Sequence, residues 1–138
     1  MGLAVMHVMA GVLVDTDGQV LLAQRPPGKH LAGMWEFPGG KLEPGERPAA
    51  GLARELREEL GVEIALDRAT PLVRVRWNYG ERDLLLDAWQ VAAWRGTPRS
   101  VEGQALQWCW PSEIAPAVLA PADREILKTL PSGRPVRQ

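Results

Sequence analysis

The sequence is short of several things, and each shortage narrows the choices. Only one cysteine, Cys109, is present, so no disulfide can form within the chain. That fits a reducing compartment, with the cytoplasm as the default expectation. No charge dominates: Lys and Arg number 16 against 17 Asp and Glu, for a formal net charge of -1. A broadly basic surface is therefore excluded, and no stable nucleic-acid complex is expected. Long hydrophobic runs are missing too. In the start MGLAVMHVMAGVLV the apolar run from Leu3 to Val14 is about 12 residues, where a bilayer needs roughly 20. It has neither the basic start nor the small-residue cleavage site of a signal peptide. It reads as a buried strand, with no membrane attachment. Histidine is scarce, and His7 and His30 stand far apart in sequence. No His-Cys cluster offers a home to a soft metal.

What is present suits one globular domain. Hydrophobic residues make up 46% of a 138-residue chain, enough for a single core. The expectation is one domain over residues 1–131 and a frayed tail over 132–138. Two apolar runs flank Asp15-Thr16-Asp17-Gly18 and read as a β-hairpin. MWEFPGG reads as a short extended piece ending in a Gly-Gly turn. Pro48 suits the first turn of a helix that runs to about Leu60, with Gly61 as its stop and Arg47 as a poor N-cap. Two β-rich runs, TPLVRVRWNY and DLLLDAWQVAAW, are joined by a turn at Gly80-Glu81. ALQWCW is a further strand, PSEIAPAV a helical turn or two, and PADREILKTL a second amphipathic helix. Strands, helix, strands, helix make an α/β or α+β domain.

The chemistry concentrates in the first helix. At about 100° per residue, Leu52, Ala53, Leu56 and Leu60 share one arc, and Glu55, Glu58 and Glu59 share another. Arg54 and Arg57 fall on a third side, so the acids gather with no cation between them. Like charges at this spacing cost a few tenths of a kcal/mol per pair. Two compensations are open: a wetted acidic face, or a divalent cation. Carboxylate oxygens suit Mg²⁺ or Mn²⁺, and Mg²⁺ commonly binds through a few carboxylates plus substrate phosphates. Gly39-Gly40 and Gly45 let backbone come close to a ligand or to the helix, and a carbonyl there could join the metal shell. Glu46, just ahead of the helix, interacts well with the helix dipole and has a structural role in ordering the loop. Arg54 can hold a phosphate or pair with a carboxylate.

Gly40, five residues, Glu46, seven residues, then Arg54-Glu55-Leu56-Arg57-Glu58-Glu59-Leu60-Gly61-Val62 matches the Nudix box in full. The chain is identified by this signature as resembling the Nudix hydrolases, and most closely the MutT type. LLAQRP, GMWEFPGGKLEPGE and EGQALQW follow that type in order. LAPAD resembles its CTP pyrophosphohydrolase branch, which stands beside the 8-oxo-dGTP diphosphatases. The resemblance implies an α/β/α sandwich around a mixed β-sheet. It also implies Mg²⁺-dependent hydrolysis of a (d)NTP, oxidised or modified, to monophosphate and pyrophosphate. By resemblance Glu55, Glu58 and Glu59 hold the metal with the Gly40 carbonyl nearby. Glu102 adds a carboxylate from a loop, as ligand or base. Whether Glu55 or Glu102 takes the proton of the attacking water stays open. Arg54 counts with the catalytic residues.

The resemblance also puts Arg25, Phe37 and Asp123 around the base. Trp35, Trp77 and Tyr79 are possible stacking surfaces. Asp123 departs from MutT itself, where an Asn stands. An ionised Asp only accepts hydrogen bonds, which favours an amino edge on the base. A helix N-cap is the competing role for Asp123. The partner is thus a small-molecule nucleotide, and a monomer or small homo-oligomer is expected. Two alternatives remain: hydrolysis of ADP-ribose or a nucleotide sugar, and a non-catalytic nucleotide-sensing module. The complete set of carboxylates argues against the latter.

Overall fold

Residues 4–132 are described in a computed structural model. Of the tail expected over 132–138, all but Ser132 lies outside the described residues. In chain order the elements are β1 (Val5–Leu13), β2 (Val20–Gln24), β3 (Trp35–Glu36), β4 (Gly39–Lys41), α1 (Pro48–Leu60), β5 (Glu63–Ile64), β6 (Ala69–Asn78), β7 (Asp83–Val91), β8 (Trp94–Arg95), β9 (Leu106–Cys109) and α2 (Pro121–Leu127). The central sheet has the order β4-β1-β7-β6. β1 runs parallel to β7 and the other pairs are antiparallel, so the sheet is mixed. β3-β2-β9 form a second sheet, and β5 pairs with β8.

Alternation along β1 explains the layering. Successive side chains point to opposite faces of a strand. Met9 and Leu13 pack with Leu52, Leu56 and Leu60 of α1. Ala10 and Val12 pack on the other face with Ala122 and Ile126 of α2. The sheet is covered on both sides, which is why VMHVMAGVL is apolar almost throughout. The result is the expected α/β/α sandwich. The three leucines of α1 are fully buried, each worth roughly 1.5–3 kcal/mol. Leu56→Ala would cost about 2–5 kcal/mol through the cavity it leaves.

Several expectations hold in detail. α1 starts at Pro48, Arg47 makes no side-chain cap bond, and Gly61 ends the helix at φ 70°. A β-carbon is strained at that angle, so glycine fits the stop. β6 and β7 form the hairpin through the Gly80 turn. The first hairpin does not form. Both edges of β1 are taken, by β4 and β7, so β2 is left to pair with β3 and β9. A tight turn does sit at Asp15, whose Oδ1 accepts from the amides of Asp17 and Gln19. Only a single Val14–Val20 bridge links the two runs before they diverge. Gly39-Gly40 is likewise a strand and not a turn: these residues face Ala10 and Met9 across the β1–β4 ladder.

Candidate active site

α1 carries its acids as expected, but a cation does stand among them. The Arg54 guanidinium reaches back along the helix. Its Nε and Nη2 donate to the two carboxylate oxygens of Glu46 at 2.8 and 2.9 Å. Its Nη1 donates to Glu55 at 2.9 Å and Glu58 at 3.4 Å. The wheel missed this because a long side chain is not confined to the angle of its own Cα. Arg54 therefore draws loop and helix together instead of lying apart. Glu46 also accepts from the Glu43 amide. Its carboxylate thus orders the loop through Arg54 and Glu43. The Arg54 hydrogen bond, then the Glu43 amide, hold the Glu46 carboxyl down at about 2. Glu58 stays exposed on the outer side of this network.

Glu55, Glu59 and Glu102 line one cavity of about 230 Å³ with Glu36, Gly39 and Gln104. Glu59 accepts from the Gly39 amide at 3.1 Å. Burial, followed by the nearby Glu36 and with smaller contributions from Glu102 and Glu55, pushes its carboxyl up to about 8. Burial also raises Glu55, against the opposing pull of Arg54. Gly40 sits so close to Glu55 that an added β-carbon would run into its carboxylate. A side chain at that position would fill the space in front of the acid.

Next to it lies a second cavity of about 380 Å³, with apolar walls from Met6, Val8, Leu84 and Leu86 and a Tyr79 ring. Arg25, Lys29 and Glu36 line both cavities. Arg25 pairs with Glu36 at 2.8 Å. Asp123 lines the apolar cavity and is 6% exposed. It does not cap α2, whose cap residue is Ala120. Its Oδ2 instead accepts from the Phe37 amide at 2.9 Å, tying α2 to the segment between β3 and β4. Burial and then the Glu36 charge push the Asp123 carboxyl up to about 8. That direction favours the protonated acid, which can donate as well as accept, over the ionised form expected. The Phe37 ring is 3% exposed and packed in the core with Leu22, Leu119 and Ile126, so its ring offers no stacking face. Among the aromatics, Tyr79 lines the cavity while its hydroxyl accepts from the Ala122 amide at 2.8 Å.

Two residues were not singled out from sequence. Glu36 stands between the cavities and disfavours ionisation of both Glu59 and Asp123. Its only sequence signal was its place in WEFPGG. Gln104, 8% exposed, binds the Glu102 loop to α1, and nothing in a lone Gln announces that.

The acid cavity suits a hard divalent cation. Glu36, Glu55, Glu59 and Glu102 bring carboxylates to it beside the Arg25 and Lys29 cations, neighbouring carboxylates raise Glu59 by repulsion, and the missing β-carbon at Gly40 keeps Glu55 open. Among the described residues no three His, Cys, Asp or Glu side chains already converge into a cage. Arg54 holds Glu55 and Glu58 on one side. Open positions of this kind match the habit of Mg²⁺, which takes few protein ligands and completes its shell from substrate and water.

The comparisons agree with this geometry. A family model described as NUDIX domain matches residues 9–129. The CTP pyrophosphohydrolase of Escherichia coli (strain K12) is 40% identical over 129 residues, covering 94% of both chains. The 8-oxo-dGTP diphosphatase of Proteus vulgaris is 41% identical over 90 residues, 65% of this chain and 79% of that one. The crystal structure of the MutT NUDIX hydrolase from Burkholderia pseudomallei superposes with a TM-score of 0.83 at 28% identity, covering 93% of this chain and 99% of that one. With the box intact on α1, the sandwich around it and the match running nearly end to end, the chain belongs to the Nudix family.

Proposed function

We propose that this chain hydrolyses (d)NTPs, oxidised or modified ones among them, to (d)NMP and pyrophosphate with Mg²⁺ or Mn²⁺ as cofactor, within one domain over residues 1–131. The observation that carries the reading is the pair of adjoining cavities: one apolar with a tyrosine ring, one lined by acids, with Arg25, Lys29 and Glu36 at their shared wall. A base and sugar suit the first and a polyphosphate the second. Relatives named as CTP pyrophosphohydrolase and 8-oxo-dGTP diphosphatase support the same substrate class.

Nudix hydrolases generally need a divalent metal. Here Glu55, Glu58, Glu59, Glu102 and the Gly40 carbonyl would hold it, and it would offset the phosphate charge in an acid-lined site. The chain's own residues do the rest. Glu55 or Glu102 takes the proton of the attacking water. Arg54 fixes the orientation of Glu55 through the 2.9 Å ion pair. The protonated Asp123 offers the base both a donor and an acceptor, as an Asn would. Phe37 contributes through its backbone amide, which orients Asp123. Among the described residues no helix is long and apolar enough to cross a membrane, and the proposed place of action is the cytoplasm.

A pyrophosphate-release panel tests the reading. It runs 8-oxo-dGTP, dCTP, 5-methyl-dCTP and ADP-ribose with and without Mg²⁺. Metal-dependent release of pyrophosphate from at least one triphosphate is expected. Turnover of ADP-ribose alone, orthophosphate as the product, or no turnover at all would refute it.

A further inference from the structure

Glu102 and the acids of α1 come from different elements, and something must hold them in register. The last carbonyls of any α-helix lack intrahelical partners. In α1 they are met by the segment that carries Glu102. The Leu60 carbonyl accepts from the Arg99 amide at 3.0 Å, and the Glu59 carbonyl from the Val101 amide at 3.3 Å. The Glu59 carbonyl also accepts from Gln104 Nε2 at 3.3 Å. The Oε1 of the same Gln104 side chain accepts from the Glu102 amide at 3.2 Å and from Ser100 Oγ at 3.0 Å. One buried amide group thus grips both the peptide of Glu59 and the peptide of Glu102. Glu102 itself is exposed, and Gly103 beside it is at φ 86°, so beyond the Val101 amide the Gln104 side chain is what ties the Glu102 peptide to α1.

We infer that Gln104 is a positioning residue: it sets the distance between the Glu102 carboxylate and the α1 acids by clamping the two backbones to one side chain. The inference rests on the proposed role of Glu102 in hydrolysis. An apolar residue of similar length fills the same space but makes none of the Gln104 bonds, so the Glu102 peptide is freed while the Arg99 and Val101 amides and the core packing are kept. A misplacement of about 1 Å in a catalytic group can cost about 10²-fold in rate.

The test compares Gln104→Met, Glu102→Gln and the double variant, each with a thermal melt to check folding. Gln104→Met is expected to lower kcat about 10²-fold with KM within about threefold. The double variant is expected to be no worse than Glu102→Gln, because the inference assigns the rate loss to the placing of Glu102; a separate loss through the bond to the Glu59 carbonyl would show as effects that multiply. Gln104→Glu keeps the acceptor for the Glu102 amide but loses the donor to Glu59, and supplies the comparison if the Met variant unfolds. A second readout needs neither metal nor nucleotide: hydrogen exchange at the Glu102 amide rises about tenfold or more in Gln104→Met, with α1 amides unchanged. Near-normal kcat, losses that multiply in the double variant, or unchanged exchange would each overturn the inference. A wild-type chain that hydrolyses no triphosphate refutes the proposed reaction, and the exchange measurement still decides the clamp. A fully active Glu102→Gln variant overturns this inference and leaves the reaction standing.

Discussion

Replacing Glu59 by Gln should stabilise the metal-free protein at alkaline pH. Glu59 is pushed up to about 8 in the fold by burial, then by Glu36, Glu102 and Glu55, from an ordinary value of 4.5. The folded state therefore keeps a proton that the unfolded chain has released. A raised carboxyl contributes its stability in full below about pH 4.5 and loses it as pH climbs through about 8. At about 1.36 kcal/mol per pH unit, a window of roughly 3.5 units makes the penalty about 5 kcal/mol above pH 8. Gln cannot ionise, yet its Oε1 can still accept from the Gly39 amide. Asp123 shifts in the same direction and is present in both proteins, so it cancels in the difference. Urea unfolding in EDTA should give similar stabilities near pH 5. Near pH 9 the Glu59→Gln variant should be ahead by about 3–5 kcal/mol. Saturating Mg²⁺ should narrow the gap, because the wild type brings one more ionised carboxylate to the cation than the variant, which keeps Glu55 and Glu102. A gap below about 1 kcal/mol near pH 9 in EDTA would mean that Glu59 is not held in a buried, acid-crowded cavity.

Two further outcomes follow from the helix network. Glu58→Gln should leave the melting temperature nearly unchanged, since Glu58 is exposed, while kcat falls by orders of magnitude; near-normal turnover would remove the outer acid from the metal set. Arg54→Met should free the Glu46 carboxyl from the partner that holds it at about 2. A carboxyl NMR titration would then show Glu46 moved up toward the ordinary range, short of it by what the Glu43 amide still contributes, and most of the stability it confers above that range, lost in the wild type only as pH falls toward 2, would disappear. An unmoved Glu46 would contradict the Arg54–Glu46 ion pair.

The helix and its acids were legible because local signals agree there. Pro48, the leucine spacing and Gly61 mark α1 from end to end, and the box names its acids. Pairing was less legible. An Asp-Gly turn between apolar runs specifies a reversal, but whether the strands stay together depends on distant competitors. Ala10 of β1 meets Gly39 of β4 on one edge and Ala88 of β7 on the other. Long side chains escaped the helical wheel: Arg54 spans back to Glu46, eight residues earlier. The state of Asp123 was hidden as well, since its protonation depends on burial against Phe37 and on Glu36, neither adjacent in sequence. Gln104 shows the limit most plainly. Its worth comes from two backbone groups 45 and 2 residues away.

The most direct measurement is a crystal grown with Mn²⁺ and a non-hydrolysable triphosphate, read by anomalous scattering. Manganese density between the triphosphate and the carboxylates of Glu55 and Glu59, with the base against Tyr79 and Asp123, is the predicted result. A nucleotide seated elsewhere, or bound with no ion beside α1, would contradict the account.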